Sequence, residues 1–238
     1  MKKINIINLR LAILTVFSLF LFTNCNKNER QIKTYDLPGF EHIINNTFAD
    51  VHIGKSTTQT VKIEAPEIIS KNIIMEVSDN KLHIDYRKPL PPFYAPTDIY
   101  INIPTLKTYC INGSGNMKIE NLFDSCKTIL LEINGSGNID ALMNVCDFTT
   151  ILINGSGNTN IRGRCPSQQI YIYGSGNVDA LSFETKVADV IITGSGNCKV
   201  NADSTLKAYI SGSGNIIYKG NPEIKSTIIG SGDIRQLH

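Results

Sequence analysis

The chain contains no tryptophan, and aromatic residues make up only 8% of its 238 residues. Helix formers are not prominent, while Ile, Asn, Gly, Thr and Tyr are conspicuous, a bias toward strands and turns. No helix is expected in the body of the chain. Hydrophobic residues still reach 42%, enough to bury a core in one domain or two small ones. Neither sign of charge dominates, with 23 basic against 21 acidic residues. No basic face follows from that balance, which argues against a nucleic-acid partner.

Long apolar runs are scarce as well. The longest, Leu11–Phe22, follows Lys2, Lys3 and Arg10 and is interrupted only by Thr15 and Ser18. It is too short to span a bilayer, which needs about 20 residues, and reads as a secretory signal peptide over residues 1–24. Cys25 directly follows in "TNCNKNER", the arrangement of a lipoprotein signal whose cysteine is lipidated. Phe22 and Asn24 stand where Leu and a small residue are usual. The alternative is an ordinary signal peptide cut nearby, with Cys25 incidental. A lipid would anchor the protein to a membrane without spanning it. Loss of the leader takes the basic residues from 23 to 20 against 21 acidic ones, a net charge of −1.

Residues 25–34 read as a polar tether. Residues 35–104 show short alternating runs such as Val61, Ile63, Ala65 and Leu82, Ile84, Tyr86, so this part reads as an antiparallel β unit. Ser78–Asn80 is the expected hairpin turn. The four prolines in "RKPLPPFYAP", 87–96, mark a loop.

Residues 105–238 are a repeat. Gly-Ser-Gly occurs seven times at intervals of 18 to 22 residues. The glycines are Gly113 and Gly115, Gly135 and Gly137, Gly155 and Gly157, Gly174 and Gly176, Gly194 and Gly196, Gly212 and Gly214, and Gly230 and Gly232. Six triplets are followed by Asn and the last by Asp233. Two residues before each triplet stands an Ile: Ile111, Ile133, Ile153, Ile172, Ile192, Ile210 and Ile228. Alternate positions on either side are also mostly apolar, so two strands meet at each triplet. A period near 20 residues with variable loops is the pattern of a solenoid. Stacked turns at about 4.8 Å would convert each Ile column into an interior ladder. Ser226 and Gln236 fall on apolar columns in the last repeat, which reads as a polar cap.

The triplets could also bind phosphate or calcium. A phosphate loop needs a following Lys or a third Gly and a helix; here an apolar strand follows each time. Calcium rolls use an acid where this chain has Asn, at about half the period. The corner reading is favoured: Gly tolerates positive φ, and Asn is next most tolerant.

Cys126, Cys146 and Cys165 each lie nine residues before a triplet and read as one column in three successive turns. Adjacent rungs fall within disulfide reach, but buried free thiols are the favoured reading. His42, His52, His83 and His238 are scattered, and no metal-ligand spacing or Ser/His/Asp set emerges. No cofactor is expected.

In "NIPTLKTYCINGSGNMKIENL", "GSGNID", "GSGNVDAL" and "YKGNPEIKSTIIGSGDIRQL" the chain resembles the head GIN domain family of auto-transporter adhesins, common in Bacteroidetes. The resemblance spans roughly 35–238. It implies a single-chain β-helical fold and defines no catalytic or ligand residues. The preference for GSGN over GSGD departs from many members and weakens a calcium role further. The expectation is an all-β, right-handed parallel β-helix or solenoid with a β-rich N-terminal region. Its expected role is non-catalytic, as an outer-membrane-anchored envelope lipoprotein acting as adhesin or binding module. Outward residues such as Glu132, Tyr171 and Tyr209 would meet a protein or carbohydrate. The alternatives are a periplasm-facing structural or sensory protein and, more remotely, a polysaccharide hydrolase or lyase. Exposed strand edges also allow a homo-oligomer.

Overall fold

The computed structural model describes residues 29–87, 95–119 and 121–237. The leader, Cys25 and residues 88–94 of the proline-rich segment lie outside the described residues. Strand makes up 72% and helix 2%, wound as a β-solenoid of about six turns.

Each repeat is an approach strand, a glycine corner and a departing strand. The approach strands are β8 (Thr108–Ile111), β10 (Phe123–Ile133), the second halves of β11 (Asn138–Gly155), β12 (Asn158–Gly174), β13 (Asn177–Gly194) and β14 (Asn197–Gly212), and then β16 (Glu223–Gly230). The departing strands are β9 (Met117–Ile119), the first halves of β11 to β14, β15 (Asn215–Lys219) and β17 (Asp233–Gln236). Approach strands pair in parallel with approach strands, and departing with departing. The register keeps Ile over Ile: Ile111, Ile133, Ile153, Ile172, Ile192 and Ile210 form one column, all fully buried. Six such burials contribute on the order of 10 kcal/mol gross, before the entropy of ordering the chain.

The N-terminal region is β1 (Arg30–Tyr35), β2 (His42–Asn45), β3 (Asp50–Lys55), β4 (Thr60–Pro66), the short helix α1 (Glu67–Ser70), β5 (Ile73–Ser78), β6 (Lys81–Tyr86) and β7 (Asp98–Ile103). It corrects the antiparallel reading. β2 and β3 stack in parallel under β8 and β9, with Ile43 under Tyr109, Val51 under Met117 and Ile53 under Ile119. They form an additional rung whose corner carries no Gly-Ser-Gly. β6 and β7 make one more beneath it. The stacking order therefore departs from the chain order. Antiparallel pairing joins β1 to β4, β4 to β7 and β5 to β6.

These antiparallel strands close the base, and α1 joins β4 to β5 there with Ile69 fully buried. The β5–β6 hairpin turns where expected, with Asp79 and Asn80 at φ 49° and 63°, the left-handed pair that a two-residue hairpin demands. Arg30–Thr34, read as the end of the tether from its polarity, is instead paired with Pro66–Lys62 as part of β1. At the other end, β16 is exposed along its whole length, and Ile224 and Ile228 are 39% and 42% exposed. The last rung is thus not a polar cap but an open end of the core.

Candidate functional site

The glycine corners stack directly on one another. A Cβ on Gly176 would collide with the Gly157 carbonyl oxygen and lie 2.6 Å from Ile153 Cγ2. The second glycine of the triplet is therefore required by the closeness of the rung below, not by its own φ. The first glycine has both reasons in the later rungs: Gly174 has φ +128°, and its Cβ would strike the Gly155 oxygen. Backbone N–H groups of one corner bond to the corner beneath, as Ser175 and Gly176 do to the Gly155 oxygen at 3.0 and 3.1 Å. The corner donors are spent on the stack, which accounts for the triplets without a bound anion.

Two asparagine ladders flank the corners. In the outer one, Asn138 donates through its backbone N and Nδ2 to Asn116 Oδ1 at 3.1 and 2.8 Å. Asn158, Asn177, Asn197 and Asn215 continue it, each Nδ2 bonding to the Oδ1 below at 2.9 to 3.0 Å. Asp50 accepts from Asn116 at the bottom, and Asp233 donates its backbone N to Asn215 Oδ1 at the top. An amide carries both donor and acceptor and so stacks on its own copy. A carboxylate carries only acceptors, and here it stands only at the ends. The inner ladder runs Asn46, Asn112, Asn134, Asn154 at 2.7, 2.9 and 2.7 Å. Sequence reasoning missed both ladders: the corner Asn was assigned to tolerance of positive φ, yet among the described non-glycine residues only Asp79 and Asn80 have it, and the inner ladder went unread. Its signal was an Asn immediately before the first three triplets.

Beside the outer ladder runs a groove of about 770 Å³ up the departing sheet. One wall is the Asn ladder; the other includes Lys118, Asp140, Asn160, Asp179 and Lys199. Its carboxylates are engaged: Asp140 by Arg162 at 2.8 Å and by Asn160, Asp179 by Lys199 at 3.1 Å.

The approach sheet presents a different outer face. Its central outward column reads Cys110, Glu132, Leu152, Tyr171, Ile191, Tyr209, Thr227 from rung to rung. Four consecutive rungs thus carry large apolar or aromatic side chains outward. Tyr209 is 37% exposed, and Tyr173, next to Tyr171 on the same face, is 43% exposed. The Tyr171 and Tyr173 rings lie 6.4 Å apart at 18°, and the Tyr171 hydroxyl donates to Gln169 Oε1 at 3.1 Å. Glu132, at the polar end of the column, accepts from Asn134 Nδ2 at 2.8 Å.

Near the base, His52 Nε2 lies 2.9 Å from Asp98 Oδ1, Arg30 bonds the same carboxylate, and Tyr100 stacks on His52 at 4.9 Å. Burial alone would raise Asp98, but the His52 and Arg30 bonds outweigh it and hold the carboxyl below its ordinary range. Among the described residues no group of three His, Cys, Asp or Glu side chains is placed to hold a metal ion.

The register takes Cys126 out of the expected cysteine column. Bulges between Phe123 and Thr128 shift β10, so Cys126 stands opposite Val145. Cys165 faces Thr185 one rung on. Counting back from the corner fails because the far-side bends differ in length. Cys126 Sγ donates to the Leu106 oxygen at 2.9 Å and Cys165 Sγ to the Ser167 oxygen at 3.0 Å. The side chain of Cys146 lies outside the described residues. Burial pushes the Cys110 thiol up to about 12, with nearby Glu132 adding to it, and raises Cys198 further.

An extended parallel solenoid with stacked corners and an outward apolar column defines a class of elongated, surface-presenting β proteins. Solved structures share it. A protein described as a "putative adhesin" from Bacteroides fragilis is 25% identical, with a TM-score of 0.80 over 87% of this chain and 97% of its own. One of the same description from Parabacteroides merdae is 20% identical, with a TM-score of 0.64 over 88% and 97%. A protein from Parabacteroides distasonis described as lipid binding is 21% identical, with a TM-score of 0.68 over 88% and 97%. The last two show the fold alone. No curated relative matches the sequence. Residues 39–222 match the family described as "Putative auto-transporter adhesin, head GIN domain", and the chain belongs to that family.

Proposed function

We propose that the protein is a non-catalytic binding module of the cell envelope, exported and held by a lipid on Cys25, with the approach sheet as its contact face. The observation that carries this reading is the outward run Leu152, Tyr171, Ile191, Tyr209, with Tyr173 beside it. A tyrosine ring offers an apolar face and a hydroxyl together, which suits sugar or protein contact. The adhesin descriptions of the family and of the Bacteroides fragilis protein support a surface role. The cation pairing of Asp140 and Asp179 favours a non-catalytic groove, since those carboxylates already have partners.

The test has two parts. Added protease or antibody should reach the described domain on intact cells as well as on lysed ones. Binding to glycans or matrix proteins found by screening should drop at least tenfold for the Tyr171→Ala/Tyr209→Ala double variant. Protection on intact cells would sink a direct adhesive role and favour the periplasm-facing alternative. Unchanged binding by the double variant would remove the tyrosine face from the argument.

A further inference from the structure

The two ends of the solenoid are built differently. The base is closed by β1, β4, β5 and α1, with Ile69 inside. At the opposite end β16 pairs through one edge, with β14. Its inward residues continue the core columns: Ile224 stands over Leu206 and Ile228 over Ile210. Leu206 and Ile210 are fully buried, whereas Ile224 and Ile228 are 39% and 42% exposed. The free edge is only partly defended, by Glu223 and Lys225 on its outward side. Over Glu223–Gly230 there is no proline and no inward charge.

We propose that two copies of the chain join end to end through β16, antiparallel about a two-fold axis at Ser226. Opposite residues in an antiparallel pair share a face, so inward must meet inward. Centring on Ser226 meets that condition and uses the strand's symmetry. Ile224 faces Ile228 of the partner subunit, Ile228 faces the partner's Ile224, and Ser226 faces the partner's Ser226. On the outer side Lys225 meets the partner's Thr227 and Glu223 meets the partner's Ile229, so no like charges oppose one another. The same strand is thus its own complement, which favours a second copy over an unrelated segment. The contact is isologous, so pairing uses up β16 of both copies, and association through this edge stops at two and does not run on into a filament.

The contact is small. Eight residues span about 27 Å, and two sheets lie about 10 Å apart, giving roughly 270 Å² on each side. That is below the standard interface size of about 1,600 Å² in total, so the dimer is weak in solution. It is independent of the tyrosine face, and either reading can fail without the other.

Site-specific cross-linking of the full chain in its exporting cells tests the register. Ser226→Cys places two thiols opposite each other at the axis, within the Cα range of a disulfide. Under mild oxidation it should give a reducible homodimer at least fivefold above the level of a Ser213→Cys corner control. Ile224→Cys should remain near that control, because its self-distance is about four residues along an extended strand, roughly 13 Å. Adding Ile228→Asp to Ser226→Cys should abolish the dimer while the monomer stays folded by circular dichroism. A Ser226→Cys yield no higher than the control overturns the proposal. Equal yields from Ile224→Cys overturn the register, and a cross-link to a different protein overturns the choice of partner.

Discussion

Gly176→Ala is the substitution that tests the corner most directly. The added methyl meets the Gly157 oxygen and Ile153 Cγ2, the latter at 2.6 Å. Neither can step aside easily. The Gly157 oxygen accepts from Asn177 N at 3.3 Å, and Ile153 is fully buried in the core column. Relief must come from moving rungs apart, which weakens that bond. Overpacking of this kind costs about 1–3 kcal/mol, and one compromised hydrogen bond about 1 more. The expected loss is about 2–4 kcal/mol, read from urea unfolding followed by far-UV circular dichroism.

Gly39→Ala is the matched control, since nothing lies within 4 Å of its added Cβ. There the change should be neutral or stabilising by up to about 1 kcal/mol, through a less flexible unfolded chain. Gly232→Ala makes a closely similar clash, 2.7 Å from Ile210 Cγ2, but in the last rung. That rung can peel away without breaking the stack, because each repeat leans only on its neighbours. Its cost should be less than half that of Gly176→Ala. If Gly176→Ala falls within about 0.5 kcal/mol of Gly39→Ala, close stacking is not what requires glycine at these corners.

Asn158→Asp removes the Nδ2 donor to Asn138 Oδ1 and sets a carboxylate beside that oxygen, so it should cost about 1–2 kcal/mol in the same unfolding assay. Asp98, held below its ordinary value of 3.8 after burial is offset by His52 and Arg30, contributes stability that is present above 3.8 and lost as pH falls through its lower folded value; Asp98→Asn should therefore cost most stability at neutral pH and least in acid, where the wild-type chain has already lost the contribution, which flattens the acid limb of a stability–pH curve. The Cys110 and Cys198 thiols, raised by burial, with Cys110 at about 12, should resist alkylation at pH 8 in the folded protein and react fully in denaturant, read by peptide mass spectrometry.

The repeat made the upper rungs readable. Ile at one fixed offset from every triplet is a direct record of one column, which the structure buries in the first six rungs and leaves exposed at Ile228. The N-terminal rungs left a weaker trace. Their corner, Asn46–Ala49, has no glycine; instead Asn45 occupies the Ile column and accepts from the Thr47 N–H at 3.0 Å while donating to the Ala49 oxygen at 3.0 Å. A corner held by a buried side chain does not repeat, so periodicity could not find it. Pairing direction was equally hidden, since alternation in β2 and β3 is the same in parallel and antiparallel sheets. Cys126 shows the opposite failure: the spacing was regular, but a bulge displaced the backbone. The taper at the open end was visible, with Ala208 then Ser226 following larger residues in one column. It was misread because a small polar residue says nothing about whether its neighbours Ile224 and Ile228 are covered.

The solenoid also separates what stacking dictates from what it leaves free. In the repeat rungs inward positions are mostly apolar, corner positions are glycine, and the flanking amides complement their own copies. Outward positions on the approach sheet face no such demand, as the same column holds Cys110 and Glu132 in one stretch and Thr227 in another. Leu152, Tyr171, Ile191 and Tyr209 therefore do not follow from the fold. Nothing in the ladder below or above requires four large apolar side chains pointing outward, of which Leu152, Tyr171 and Ile191 are half-buried and Tyr209 is exposed. Packing explains the isoleucine, glycine and asparagine columns near the corners but does not require this one, which supports the proposal of a contact surface there and not in the glycine words that dominate the sequence.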